Sequence, residues 1–171
     1  MPRKYLLAAF IATLSASPAA AQTCFRACLT PKLTASDIAD ETIRAAMKQC
    51  RNLCEAQTLA SQPKPLAARL DACEPAEVSD AQMKQVRRAS PAPLAYAGAF
   101  AWDVHNVLEG LIIRRVELIT QNMDLQDIVL SSRGTVLPGE TATILITIAG
   151  DGYPAVAVTA RIKAIYACPA Q

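Results

Sequence analysis

The sequence predicts an α+β protein in which a disulfide-stapled N-terminal helical region precedes a small antiparallel β-sandwich. Three observations predict this fold class. Six cysteines include two pairs spaced four residues apart, the apolar pattern has a helical period up to residue 89, and it alternates from residue 94 onward. We therefore divide the chain into a leader (1–21), a helical region (22–89) and a sandwich (94–171).

The first residues have the pattern of a secretory signal peptide. Arg3 and Lys4 precede an apolar run at 6–14, and three alanines at 19–21 supply the small residues that a cleavage site needs. The apolar run is much shorter than the ~20 residues that cross a bilayer. We expect cleavage near Ala21-Gln22 and a periplasmic or secreted protein.

Removal of this leader makes the chain electrically neutral. The sequence has 17 basic and 15 acidic residues, and two of the basic ones, Arg3 and Lys4, lie in the leader, which leaves 15 of each. A neutral chain does not favour nucleic acid or an anionic membrane as its partner. No other apolar stretch is long enough for a membrane span, so none is expected after cleavage.

An even number of cysteines behind a signal peptide favours disulfides. Residues four apart lie on one face of a helix. Two such pairs on facing antiparallel helices bridge outer to outer and inner to inner, which predicts Cys24–Cys54 and Cys28–Cys50. The remaining pair, Cys73 and Cys168, would then join the helical half to the last strand.

The residues around these cysteines fit two helices. A short helix begins near Thr23 and stops at Pro31, because proline cannot continue it. The next helix has Ser, Thr and Asp near its start, which suit capping, and we expect Phe25 and Leu29 to pack beside the bridges. Its predicted apolar stripe is Ile43, Ala46, Met47, Cys50, Leu53 and Cys54.

This segment, residues 24–54, resembles the twin Cx3C helical hairpin of several small disulfide-stapled proteins, including intermembrane-space carriers. Its longer, proline-containing loop departs from those carriers, so the resemblance implies the hairpin geometry and not the carrier function. Two alternatives for the four cysteines remain open. They are a metal site, although zinc favours tighter Cys-x2-Cys spacing, and a redox centre, although that chemistry favours Cys-x-x-Cys.

The rest of the helical half carries clear boundary signals. Pro65 suits the first turn of a short helix, and Ser79 with Gln82 matches a capping box at the start of another. Arg87 and Arg88 suit the solvated end of that helix, because positive charge is favourable there. The proline-rich stretch 90–93 ends the helical region.

From residue 94 onward, alternation predicts about six strands with one buried and one wet face. Turn candidates lie at 106–110, 122–127, 137–140 and 150–152. The predicted buried faces are Phe100, Trp102 and Val104 in one strand; Ala142, Ile144, Ile146 and Ile148 in a second; and Val156, Val158, Ala160, Ile162, Ala164 and Tyr166 in a third.

The stretches "FAWDVHN", "IIRRVELITQNMD" and "VLPGETATILITI" make residues 96–166 similar to the small Ig-like envelope domains of the FxLYD type. The "VLEGL" turn and the missing glycine after Asp124 depart from that pattern. The resemblance implies an Ig-like sandwich with a scaffold or binding role and carries over no active residues.

The sequence shows little catalytic chemistry. His105 is the only histidine, and Asp103 shares its strand face. Ser131 or Ser132 could complete a hydrolase triad with them, but neither serine lies in a nucleophile-elbow motif, which argues against a hydrolase. No phosphate loop or metal-binding motif is present. We therefore expect no enzyme activity, no cofactor and no metal.

We expect a non-enzymatic envelope protein that binds another protein through the helical hairpin or an open sheet edge. The candidate binding surface comprises Phe25, Leu29, Trp102 and His105, although aromatic residues such as Trp102 are more often part of a core. An envelope hydrolase or thiol-redox enzyme, and a carrier of a small apolar ligand held between the two halves, are the alternatives.

Overall fold

The computed structural model describes residues 23–34, 39–121, 125–147 and 160–170. The expected signal peptide and its cleavage site lie outside the described residues. So do the turn at 150–152 and the predicted core positions Ile148, Val156 and Val158.

The described residues form four α-helices. They are α1 (Cys24–Leu29), α2 (Asp40–Ala60), α3 (Lys64–Ala72) and α4 (Asp80–Ala89), and a 3₁₀ turn at Thr30–Lys32 follows α1. Pro65 lies in the first turn of α3, and the capping box of Ser79 and Gln82 at the start of α4 is confirmed. In α1, the Thr23 hydroxyl accepts a hydrogen bond from the backbone N–H of Arg26.

The predicted start of α2 was wrong. The helix begins at Asp40 after Ala39, and no side chain caps it. Asp40 and Glu41 instead place two carboxylates in the first turn, where they interact favourably with the helix dipole.

The described residues form seven strands in two antiparallel sheets, so the α+β class is confirmed. The strands are β1 (Ala76–Glu77), β2 (Leu94–Tyr96), β3 (Ala99–His105), β4 (Leu111–Gln121), β5 (Asp127–Val136), β6 (Thr141–Thr147) and β7 (Arg161–Pro169). The first sheet has the order β1-β7-β4-β5, and the second has the order β2-β3-β6. Six strands follow residue 94 as expected, whereas β1 was not predicted. The Ig-like assignment stays a prediction.

One apolar core joins the two sheets. Trp102, Phe100 and Val104 of β3 are buried in it, as the alternation predicted. Val86 of α4 also belongs to this core, so residues on both sides of the 90–93 stretch contribute to it. Its other buried members are Leu108, Ile113, Val116, Leu118, Val136, Ile144, Ile146, Ile162 and Ile165.

The predicted buried face of β7 is confirmed only in part beyond Ile162. Glu117 of β4 pairs with Ala164, and the next residue, Leu118, pairs with Ile162, so β7 has one extra residue at Lys163. Such a bulge shifts the alternation by one position. Ile165, which the alternation did not predict, therefore enters the core with Ile162, and Tyr166 is only partly buried. Ala164 is buried as predicted.

The helical hairpin packs on the outer face of the second sheet. Cys24–Cys54 and Cys28–Cys50 join α1 to α2 with Cα–Cα distances of 5.8 and 5.7 Å, as predicted. A second cluster unites the two helices with the sheet through Phe25, Leu29, Ile43, Met47, Cys50, Ala99 and Leu145. Leu53, which the stripe placed with them, is 48% exposed and does not belong to this cluster.

The third disulfide, Cys73–Cys168, joins the end of α3 to β7, also as predicted. A small third cluster surrounds it and contains Leu70, Ile112 and Leu137. In the part of the chain that the structure describes, no helix is long and apolar enough to cross a membrane.

Candidate binding cleft

An open cleft of about 490 Å³ lies between the helical hairpin and strand β2. The hairpin contributes an apolar wall of Phe25, Leu29, Leu33 and Met47. This wall is fixed in place because the two hairpin disulfides hold α1 against α2.

Strand β2 forms the opposite wall and is an edge of the second sheet. Its Leu94 and Tyr96 are each 53% exposed, although both are large and apolar. They pair with Ala101 and Ala99 of β3, and the small side chain of Ala101 lines the cleft. Exposed apolar side chains next to a concave apolar surface are typical of an interaction site.

The backbone of β2 adds a second kind of contact. In an antiparallel pair, alternate residues direct their N–H and C=O groups away from the partner strand. Among the described residues no strand pairs with β2 on its other side, so at least one residue of β2 directs a donor and an acceptor to an edge where an extended segment can add as a further strand. Three residues give only a short strand, so the apolar wall would supply most of the contact.

The cleft has a polar end at Asp103 of β3. Arg26 Nε donates to Asp103 Oδ2 at 2.5 Å, and Thr143 Oγ1 donates to Asp103 Oδ1 at 2.5 Å. The hydroxyl groups of Thr143 and Thr23 also lie within hydrogen-bond distance, at 2.9 Å. This network ties α1 to the sheet and fixes the position of the Arg26 side chain.

The other end lies near the turn between β2 and β3. Ala97 and Gly98 both have positive φ, as the favoured two-residue hairpin turns require. Arg44 of α2 donates to the Ala97 carbonyl at 3.2 Å. A Cβ atom at Gly98 would lie at ordinary contact distance from the same guanidinium, so the positive φ, and not lack of space, favours glycine here.

The four residues of the predicted binding surface are not brought together. Phe25 and Leu29 line the cleft but are largely buried in its wall. Trp102 points to the opposite face of β3, into the core, and its Nε1 donates to the Pro91 carbonyl at 2.7 Å. His105 lies at the end of β3, where its Nδ1 is 2.9 Å from Thr141 Oγ1.

The residues of the hydrolase hypothesis have other partners. The Asp103 carboxylate binds Arg26 and Thr143, and the Ser132 hydroxyl donates to the Leu145 carbonyl at 2.6 Å. Within the described ranges, no hydrogen bond joins His105 to either of them. All six cysteines are in disulfides. Nor do the described residues contain a group of three potential metal ligands.

Two buried polar networks were not found by sequence reasoning. Asn106 donates to the carbonyls of Leu111 and Val136 and accepts from the Leu108 N–H. Asn106 was predicted only as part of a turn, because a turn asparagine and a buried network asparagine look alike in sequence.

The second network links α2 to the first sheet. The Glu55 carboxylate accepts hydrogen bonds from Thr135 N at 2.8 Å and from Thr135 Oγ1 at 2.5 Å. Arg114 Nη1 lies 3.6 Å from Glu55 Oε1 and forms an ion pair with it. A glutamate on a helix gives no sequence signal of such a partner, since the two residues are 80 positions apart.

Comparison with known proteins gives no relative from which a function could be transferred: no family model, curated protein or solved structure matches the chain. The resemblances to twin Cx3C hairpins and to FxLYD-type domains therefore stay predictions.

Proposed function

We propose that this is a non-enzymatic interaction protein of the cell envelope that binds an extended segment of another protein in the cleft beside β2. The observation that carries this proposal is the pair of half-exposed apolar residues, Leu94 and Tyr96, on an edge strand that faces a disulfide-fixed apolar wall. Apolar contact and backbone pairing together are how proteins recognise extended segments.

The three disulfides support the envelope part of the proposal. Disulfides persist in oxidising compartments and are rare in the cytosol. They are consistent with an extracellular or periplasmic protein. The signal peptide, the cleavage near Ala21 and the choice between periplasm and secretion are part of the proposal.

The carrier of a small apolar ligand is the second candidate, because the cleft volume falls within the ~300–1,000 Å³ of typical ligand sites. Such sites bury most of the ligand surface. Here one wall ends in half-exposed Leu94 and Tyr96, and a strand edge is available. Both features suit an extended segment better than an enclosed small molecule.

Affinity capture from solubilised envelopes tests the proposal. The bait variant Leu94→Lys/Tyr96→Lys places two charges at the cleft, and Val129→Lys is the matched control, since Val129 is a 49% exposed apolar residue on β5. We expect the wild-type protein and Val129→Lys to recover the same partner and the cleft variant to lose it.

Equal recovery by all three baits would refute the cleft as the contact surface. Native mass spectrometry of the purified protein distinguishes the second candidate, a carrier of a small apolar ligand, from the proposed protein-binding function. A bound small apolar molecule that is lost from the cleft variant, without any protein partner, would favour the carrier function. The enzymatic alternative predicts instead an activity that is lost in His105→Ala.

A further inference from the structure

We propose that the segment bound in the cleft carries an acidic side chain which pairs with Arg26, so that Arg26 selects acidic apolar segments. This inference rests on the proposed function and specifies the chemistry of the partner.

Arg26 has unused hydrogen-bonding capacity. Its side chain is 42% exposed at the cleft, and only Nε donates to Asp103. Neither Nη1 nor Nη2 makes a hydrogen bond to any other residue that the structure describes. A guanidinium has five N–H donors in a planar fork, and this fork matches a carboxylate.

Asp103 uses only one of these five donors. Each of its two oxygens already accepts a hydrogen bond, one from Arg26 and the other from Thr143, and its side chain is only 11% exposed. The carboxylate thus orients the guanidinium and leaves the exposed donors for a second anionic group. Charge-assisted hydrogen bonds of this kind are the stronger ones in proteins.

The local charge also favours an acidic partner. Among the described residues that line the cleft, the charged side chains are Arg26 and Asp103, and the Arg26 side chain is 42% exposed whereas that of Asp103 is 11% exposed. The exposed charge at this end of the cleft is therefore mainly that of the guanidinium. An anionic group on the partner complements this charge and improves both specificity and association rate.

The geometry sets the length of the segment. Ala99 beside the turn and Asp103 at the polar end are four positions apart on β3, which corresponds to about 13 Å of extended chain. A segment of about four residues spans this distance. Its alternate apolar side chains would contact Leu94 and Tyr96, and its acidic side chain would lie at the Arg26 end.

Selection from a displayed library of random hexapeptides on the full disulfide-bonded chain tests the inference. The baits are the wild type, Arg26→Gln, Arg26→Lys and the cleft variant Leu94→Lys/Tyr96→Lys. Arg161→Gln is the matched control, because Arg161 is an exposed arginine that is also paired with one aspartate, far along the first sheet.

We expect the wild type and Arg161→Gln to enrich apolar hexapeptides with an Asp or Glu at one end. Arg26→Gln should enrich apolar peptides without the acid, and Arg26→Lys should retain a weaker acidic preference. For a selected peptide, the change from Glu to Gln should weaken binding to the wild type up to about fivefold at low salt, because rim ion pairs contribute up to about 1 kcal/mol.

The outcomes separate the two proposals. Apolar enrichment without an acidic preference, or a preference that persists in Arg26→Gln, overturns the role of Arg26 and leaves the cleft intact. No enrichment above the cleft variant overturns the proposed function itself. If Arg26→Gln does not fold, salt dependence decides. Added salt should weaken binding of the acidic peptide more than of its Gln analogue, and equal dependence overturns the inference.

Discussion

Removal of single disulfides should reveal that the two hairpin bridges depend on each other and that Cys73–Cys168 does not. The perturbations are Cys28→Ala/Cys50→Ala, Cys24→Ala/Cys54→Ala, both together, and Cys73→Ala/Cys168→Ala. A disulfide stabilises mainly by restricting the unfolded chain, and its effect grows with the logarithm of the loop that it closes.

The number of residues in the loop that each disulfide closes follows from the disulfide connectivity. Cys73–Cys168 closes 95 residues, which corresponds to about 4.7 kcal/mol in the chain-entropy model. The hairpin bridges are nested, with separations of 30 and 22 residues. When one is present, the other closes only about eight further residues, so each alone should contribute about 2.5 kcal/mol. Loss of both should cost about 6 kcal/mol, since the full loops then open.

Urea unfolding under non-reducing conditions measures these values, and Trp102, the only tryptophan, reports on the core. Cys28–Cys50 and Cys73–Cys168 are matched in burial, because each joins a partly buried cysteine to a fully buried one, Cys50 or Cys168. Cavity effects therefore largely cancel in their comparison, and a difference of about 2 kcal/mol should remain.

Two results would refute this reasoning. One is a double hairpin variant whose loss of stability equals the sum of the two separate losses. The other is equal destabilisation by removal of Cys28–Cys50 and of Cys73–Cys168. Either would mean that native-state packing around the sulfur atoms, and not the unfolded chain, determines their contribution.

Three further substitutions should affect stability through contacts described above. Asn106→Ala should lower the free energy of unfolding by about 3 kcal/mol or more, because it leaves two buried carbonyls without donors; a urea midpoint near that of the wild type would contradict this. Glu55→Gln should cost about 1–3 kcal/mol in the same assay, since a neutral amide accepts weakly from Thr135 and adds donors where acceptors are needed; unchanged stability would disprove the network. Met47→Ala should cost about 2–5 kcal/mol by thermal and urea unfolding, whereas Leu53→Ala on the same helix should cost less than about 0.5; similar losses would show that the hairpin is not packed as described.

Local spacing predicted the helical hairpin well. Cysteines four residues apart must share a helix face, so only nested pairing suits two antiparallel helices, and both bridges are confirmed. The residue at which α2 begins was harder to predict from the sequence. Capping residues are common in that part of the chain, and tertiary packing of Ile43 and Met47 outweighs the choice of cap.

Alternation predicted the core of β3 correctly and that of β7 only in part. A single extra residue at Lys163 reverses the later faces, and the sequence around it is regular enough to hide the bulge. The cleft could not be predicted from spacing at all. It lies where Ala101 of β3 faces residues of α1, and because these two elements are about 75 residues apart, no local pattern predicts that they meet.

The nested connectivity has a consequence for biosynthesis. A catalyst that joins cysteines in the order in which a growing chain presents them would link Cys24 with Cys28 and Cys50 with Cys54, and none of these links is native. Cys168 is synthesised 95 residues after Cys73, so the thiol of Cys73 remains without its native partner for longer than any other cysteine. Maturation of this protein should therefore rely on a disulfide isomerase, which reshuffles early mistakes, more than on an oxidant alone.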